Sequence, residues 1–180
     1  MGVATSGWRL ARTVSQLGQL GVVSGTLLAV VLARRLQGGD TDGMMRHALS
    51  HFPCTAIAER VIDTYYVAGG KAADAPYRPV TMPAQFSSQA LTELTVAANF
   101  TEVFLAKEGH SGRVGINLLE KIQVTSLASI YGAMLAGVDY ILMGAGIPRA
   151  IPGVMDRFAA GHPLLLAECH NDGVGGSGDA

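Results

Sequence analysis

The chain has 180 residues, 49% of them hydrophobic, and its 13 basic and 14 acidic side chains leave a formal net charge of −1. That length and apolar content suit one domain with a substantial core, and the balanced charge excludes the clustered basic excess of a nucleic-acid-binding domain. Cys54 and Cys169 are the only cysteines; they make neither a disulfide framework nor a CxxC zinc pair, which fits a reducing, cytoplasmic setting.

Taken in chain order, Met1–Thr5 reads as the tail of a strand. Ser6 is placed to cap a helix in which Leu10, Ala11, Val14 and Leu17 share a face, with Arg9, Arg12, Thr13 and Gln16 turned outward. Gly18 is its stop. LGVVSG, residues 20–25, is a short apolar strand, and Thr26 caps a second helix running through Leu36. The apolar run from Leu20 to Ala33 has arginines on both sides, as a membrane anchor would. It is shorter than the roughly 20 residues that cross a bilayer, and Ser24, Gly25 and Thr26 interrupt it. A buried strand followed by a buried helix is the better reading. Strand and helix alternating at this spacing predict parallel α/β architecture.

Residues 38–86 break the rhythm. GGDTDG is a loop, Met44–His51 and Ala56–Tyr66 are short helices, and the stretch from Gly69 to Pro83 is irregular. This is too long for an ordinary connection and reads as an insertion or lid. Ser87 or Ser88 then opens a long helix toward Lys107, with Leu91, Leu94, Ala98 and Leu105 near one face. VGINLL, residues 114–119, is a buried strand, with Gly109 and Gly112 in the turn before it. Ser126 caps a helix whose Leu127, Ile130, Tyr131, Met134 and Leu135 fall on one face, and Gly137 ends it. Tyr140–Gly146 is another apolar strand entering a glycine turn. A last amphipathic helix carries Ile151, Val154, Met155 and Phe158, and the glycine-rich tail at 161–180 is expected to have no fixed structure.

Three strings in this order, MGVATSGWRLARTVSQLGQLGVVSGT at 1–26, VGINLLEKIQ at 114–123 and GVDYILMGAGIPRAIPGVMDR at 137–157, resemble the nitronate monooxygenase family, formerly called 2-nitropropane dioxygenases. The APYRP segment at 75–79 and the helix ending in EVFLAKEGH are similar to a longer bacterial subgroup. The resemblance covers residues 1–160. It implies a partial (β/α)₈ TIM barrel, with about the first four βα units present and an insertion at 38–86 between the second and third strands. A closed barrel takes eight strands and about 250 residues, so the chain is expected to be truncated and unable to close one alone.

In such barrels FMN lies across the C-terminal mouth, where the βα loops converge. The resemblance implies cofactor contacts from Met1, Gly2 and Val3 after the first strand, Asn117 and Lys121 at the third, and Met143 and Gly144 at the fourth. A glycine suits a place where backbone nears a flat ring. An asparagine inside an apolar strand needs a polar partner, and its amide both donates and accepts. Gln123 also follows the third strand. The implied reaction is flavin-mediated oxidation of alkyl nitronates by dioxygen; an enoyl-reductase-like activity, or an inactive half-barrel needing a partner chain, are the alternatives. The family's phosphate loops and catalytic histidine belong to later strands, and none of His47, His51, His110, His162 or His170 matches that histidine. The catalytic residues are therefore unassigned. The expected partner is a small-molecule substrate, with no nucleic acid and no membrane, and self-association through open sheet edges is anticipated.

Other motifs carry less. His47 and His51 stand four apart with Cys54 nearby, but no further ligand accompanies them, and a solvated helix face is the simpler reading. The tail's GVGGSG lacks the preceding strand and following helix of a phosphate loop. Glu168, Cys169 and His170 receive no role, and Trp8 reads as a packing residue.

Overall fold

The computed structural model describes residues 2–80, 88–119, 123–144, 149 and 151–161. In chain order the elements are α1 (Trp8–Gln16), β1 (Gly21–Ser24), α2 (Leu28–Gln37), α3 (Met44–Ser50), α4 (Thr55–Tyr65), α5 (Gln89–Lys107), β2 (Val114–Leu119), α6 (Gln123–Leu135), β3 (Tyr140–Gly144) and α7 (Ile151–Ala159). The three strands form one parallel sheet in the order β1-β2-β3, with Val23 opposite Ile116 and Ile116 opposite Ile141. The fold is therefore mixed α/β, as the alternation of apolar strands and amphipathic helices predicted, and among the described residues its sheet has three strands.

Side chains alternate along a strand, and here the alternation separates two faces. Val23, Val114, Ile116 and Leu118 are buried in the helical core, with Ile141 and Met143 packed against it. Val22, Leu119 and Leu142 belong to the other face, stay outside that core and are half-buried. Helix α5 is the centre of the helical layer: 14 of its 19 residues are buried. Ser88 caps it by accepting a hydrogen bond from the Leu91 amide. Its two carboxylates are paired, Glu93 with Arg60 of α4 at 3.0 Å and Glu102 with Arg35 of α2. Glu102 also accepts from the Trp8 amide at 2.9 Å, which ties α1 to the layer.

Several local expectations are corrected. Residues 2–5 form a turn rather than a strand tail: Thr5 N donates to Gly2 O, and Ala4 has φ +53°. Only Ser6 reaches the edge of β1, accepting from Ser24 N at 2.8 Å and donating from its hydroxyl to Val22 O at 2.6 Å. That bond takes the hydroxyl away from capping, and Gly7 is the N-cap of α1. The buried face of α1 is Trp8, Ala11 and Ser15, while Leu10 and Leu17 are 53% and 74% exposed. Close approach decides this: a Cβ on Gly21 would lie 1.9 Å from the Ala11 carbonyl oxygen, and one on Gly112 2.4 Å from the Ser15 carbonyl oxygen. Small residues must therefore face the sheet, whatever the leucine spacing suggests.

Helix α2 starts after Leu27, whose φ is +54°, and Thr26 does not cap it. Helix α6 begins at Gln123, three residues before the expected cap, so Ser126 lies within it. Its buried side is Ser126, Ala128, Ser129, Ile130 and Ala133, and Leu127 is exposed. Gly132 explains the choice, since a Cβ there would stand 2.2 Å from the Val96 carbonyl oxygen of α5. The two helices meet backbone to backbone. Within the expected insertion, α3 and α4 bury Met45, Ala48, Leu49, Ile57, Ala58 and Val61 in the same core as the sheet. They form one layer with α2 and α5 rather than a lid.

At the N-terminal end of the sheet, Asp139 accepts from Lys107 Nζ at 2.6 Å and from the Val114 amide at 2.7 Å. Burial alone would raise this carboxyl's pKa, but the bonds from Lys107 and Val114, with the charges of Lys107 and Arg113, outweigh it and hold the group below its ordinary value. A lowered folded-state pKa stabilises the fold above the unfolded pKa, and the contribution disappears as pH falls through the folded value. Asp139→Asn is expected to lower stability at neutral pH by about 1 kcal/mol, reduced by solvent screening of a partly exposed pair. In urea titrations at stepped pH, the gap between wild type and variant should close below the ordinary carboxylate range; a gap that persists there contradicts the assignment.

Candidate functional site

Parallel sheets bind ligands beyond the carboxyl ends of their strands, which here are Ser24, Leu119 and Gly144. Asn117 stands in the middle strand at this end, opposite Ser24 on one side and Leu142 on the other. Its Oδ1 is inaccessible to solvent and has no hydrogen-bond partner among the described residues. An unpaired buried acceptor costs roughly 1–3 kcal/mol, so this is a polar group awaiting a donor. A Cβ built on Gly144 would lie 3.9 Å from that oxygen and 3.8 Å from Leu119 Cδ2. Asn117 and Gly144, both expected at the cofactor, are thus brought together on the half-buried face, beside Leu119.

The remaining expected contacts are placed differently. Met143 pairs with Leu118 and packs into the helical core, on the opposite face from Asn117. Its side chain follows the strand's two-residue period and cannot share the asparagine's side. Gly2 and Val3 are exposed in the N-terminal turn, and only the backbone at Ser6 joins the strand end through Ser24. Met1 and Lys121 lie outside the described residues, as do His162, Cys169 and His170. Gln123 is the first residue of α6.

A small cavity opens at the same end, lined by Gly25, Thr26, Leu27, Leu118, Leu119, Ser126 and Ser129. The space open to the centre of a water molecule is about 20 Å³, enough for roughly one water-sized group. Sequence reading missed this grouping. The signal available was the pair of small hydroxyl residues one helical turn apart, Ser126 and Ser129, which share a helix face.

Of the histidine pair, His51 is exposed and His47 half-buried, and each also touches a neighbouring group. The His51 ring stacks on Phe104 with centroids 4.9 Å apart, and His47 Nε2 is 2.5 Å from Glu108 Oε1. Both rings thus lie against α5 rather than on a purely solvated face. Among the described residues no group of three or more His, Cys, Asp or Glu side chains is placed to hold a metal ion. Cys54 is buried at the start of α4. No helix among the described residues is long and apolar enough to cross a membrane; the run from Leu20 to Ala33 contains β1 and much of α2.

No family model, curated protein or solved structure matches the chain. The Asn117 amide oxygen, unpaired among the described residues, is therefore the observation from which function is argued. Asn117→Leu removes a buried acceptor that no described residue satisfies and is expected to stabilise the unliganded chain by about 1 kcal/mol. Thermal unfolding of the two proteins without ligand tests this; a clear loss of stability in the variant would show that the amide already has a structural role.

Proposed function

We propose that the chain is part of an FMN-dependent oxidoreductase of the nitronate monooxygenase type. The observation that carries the reading is the Asn117 Oδ1, unpartnered among the described residues, beside Gly144 at the carboxyl end of a parallel sheet. The likeness of residues 1–26, 114–123 and 137–157 to that family supports it. When bound, FMN supplies the redox chemistry, taking electrons from a nitronate and passing them to dioxygen. The chain's own part is orientation. The Asn117 amide has an acceptor to offer a ring N–H, and Gly144 adds no side chain where the ring would approach. Met143 is withdrawn from the contact set because its side chain belongs to the helical core. No histidine here matches the family's base, and no residue is assigned to proton transfer.

The chain is expected to bind FMN weakly, since the resemblance supplies ring contacts without a phosphate grip. Titration of the purified protein with FMN, followed by flavin fluorescence, should give weak saturable binding that Asn117→Leu lowers further, by about tenfold for one lost hydrogen bond to the ring. Indifference of the binding to this substitution would remove Asn117 from the cofactor site, and a stoichiometric, tightly held flavin in the purified protein would contradict the weak-binding argument.

A second reading has its own support. Among the described residues no strand pairs with the outer edge of β3, and Tyr140 at that edge is 44% exposed. Such an edge is a template for pairing with another chain, which favours a half-barrel that works with a partner. Size-exclusion chromatography with light scattering is expected to show dimers or larger species whose share rises with concentration. A concentration-independent monomer would rule this reading out.

A further inference from the structure

The irregular stretch after α4 belongs to the expected insertion, and the candidate site makes no use of it. It is nevertheless built onto the end of α2. The amides of Val67 and Lys71 donate to Leu36 O at 3.3 Å and to Gln37 O at 2.8 Å. Gln37, only 4% exposed, holds the backbone of Arg78 at both polar atoms. Its Oε1 accepts from the Arg78 amide at 2.6 Å, and its Nε2 donates to the Arg78 carbonyl at 3.3 Å. A Cβ on Gly39 would stand 2.7 Å from Gly70 N, so the two segments meet through glycine. Pro76 and Pro79 fix the backbone on either side of Tyr77 and Arg78. A segment clamped in this way holds its side chains in place before anything binds.

What it presents is a cationic surface around an exposed tyrosine. Tyr77 is 44% exposed, and the Arg34 guanidinium and Lys71 ammonium lie 5.4 Å and 4.7 Å from its ring centroid. The α2 dipole favours a cation in the last turn, which accounts for Arg34. Lys71 is a second positive charge at the same ring, and like charges repel. Among the described residues no ion pair involves either of them. Asp74, the one carboxylate between residues 66 and 80, is exposed and pairs with neither. Lys71 Nζ donates to Ala72 O at 3.0 Å, which leaves further protons on the ammonium. Arg78 is not counted with them, because its Nη1 donates to Thr64 O near the end of α4.

We propose that this face docks an acidic segment of a partner protein, whose carboxylates meet Arg34 and Lys71 beside Tyr77. The forked guanidinium matches a carboxylate, and tyrosine and arginine are enriched where proteins bind one another. Arg34 and Tyr77 are exposed, so a lone small anion gains little there. Several carboxylates on one chain supply the complementarity. Nucleic acid and anionic membranes take larger cationic clusters than these two side chains on a chain of net charge −1. Helix α2 has 10 residues, a length of about 15 Å, and separates this face from the end of β1. The proposal therefore does not rest on the flavin reading.

Fluorescence anisotropy of a labelled oligoglutamate peptide, titrated with the full chain, tests this. Saturable binding is expected, weakened by sodium chloride and absent for the matching oligoglutamine peptide. Arg34→Gln and Lys71→Gln should each weaken it about threefold. Arg157→Gln makes the same charge change at an exposed position of α7 and should leave the binding unaltered. No saturable binding of oligoglutamate, an equal loss in Arg157→Gln, or indifference to both Arg34→Gln and Lys71→Gln would overturn the proposal. Tighter binding of single-stranded DNA or of phosphatidylserine vesicles would also overturn it, and would assign the face to a nucleic acid or a membrane.

Discussion

Helix α5 is enclosed along nearly its whole length, yet it carries two carboxylates, and the placement of the other helices answers to them. Removing a charge from water is expensive unless a partner and further hydrogen bonds go with it. Glu102 meets both requirements through Arg35 and the Trp8 amide. Glu93 meets them through Arg60 and Gln89. Each arginine comes from a different helix, so α2 and α4 are fixed in position by charge as well as by apolar contact. Helices α2 and α4 are thereby bound into the core.

The contact of α5 with α6 is organised by size rather than charge. Gly132 lets α6 approach the Val96 carbonyl, and Asn99 donates across the same contact to Ser129. That approach brings Ser129 and Ser126 to the end of β2. One helix therefore sets the position of both the scaffold and the hydroxyls of the cavity. The sheet faces this layer with Val23, Ile116 and Leu118 and leaves Asn117 on the face the core does not use. Parallel sheets are ordinarily covered on both sides, and a half-covered one with a polar group at its carboxyl end is suited to receiving a ligand or another chain.

What the sequence made legible follows from the range of the forces involved. The three strands were readable because each is a short apolar run with glycine in or beside it, and Asn117 stood out as a polar residue inside one of them. The faces of α1 and α6 were not readable from hydrophobicity. Ala11 and Gly132 are chosen by backbone approach to distant segments, which leaves Leu10, Leu17 and Leu127 outside. Ser6 and Thr26, expected as caps, do not cap for related reasons: Ser6 donates its hydroxyl to Val22 O, and Leu27 adopts a left-handed conformation before α2 begins. The family resemblance puts Met143 at the site alongside Gly144. The two-residue period of a strand puts it with Leu118 instead. The grouping of Thr26, Ser126 and Ser129 exists only after α6 has docked on α5, and no local pattern announces it.

The pairing of β1 with β2 also bears on how the chain is made. Ser24 and Asn117 are register partners, yet α2, α3, α4 and α5 all lie between them in the chain. During synthesis β1 emerges before β2, and four helices follow before these two strands can pair. The entropy of closing so long a loop must be met before that pairing returns anything, and topologies dominated by such distant contacts fold slowly. The helical layer, held by contacts among successive helices, is thus the natural template on which the sheet is laid down. Until β2 arrives, the glycine-flanked apolar segment of β1 is the part of the nascent chain most in need of protection from its neighbours.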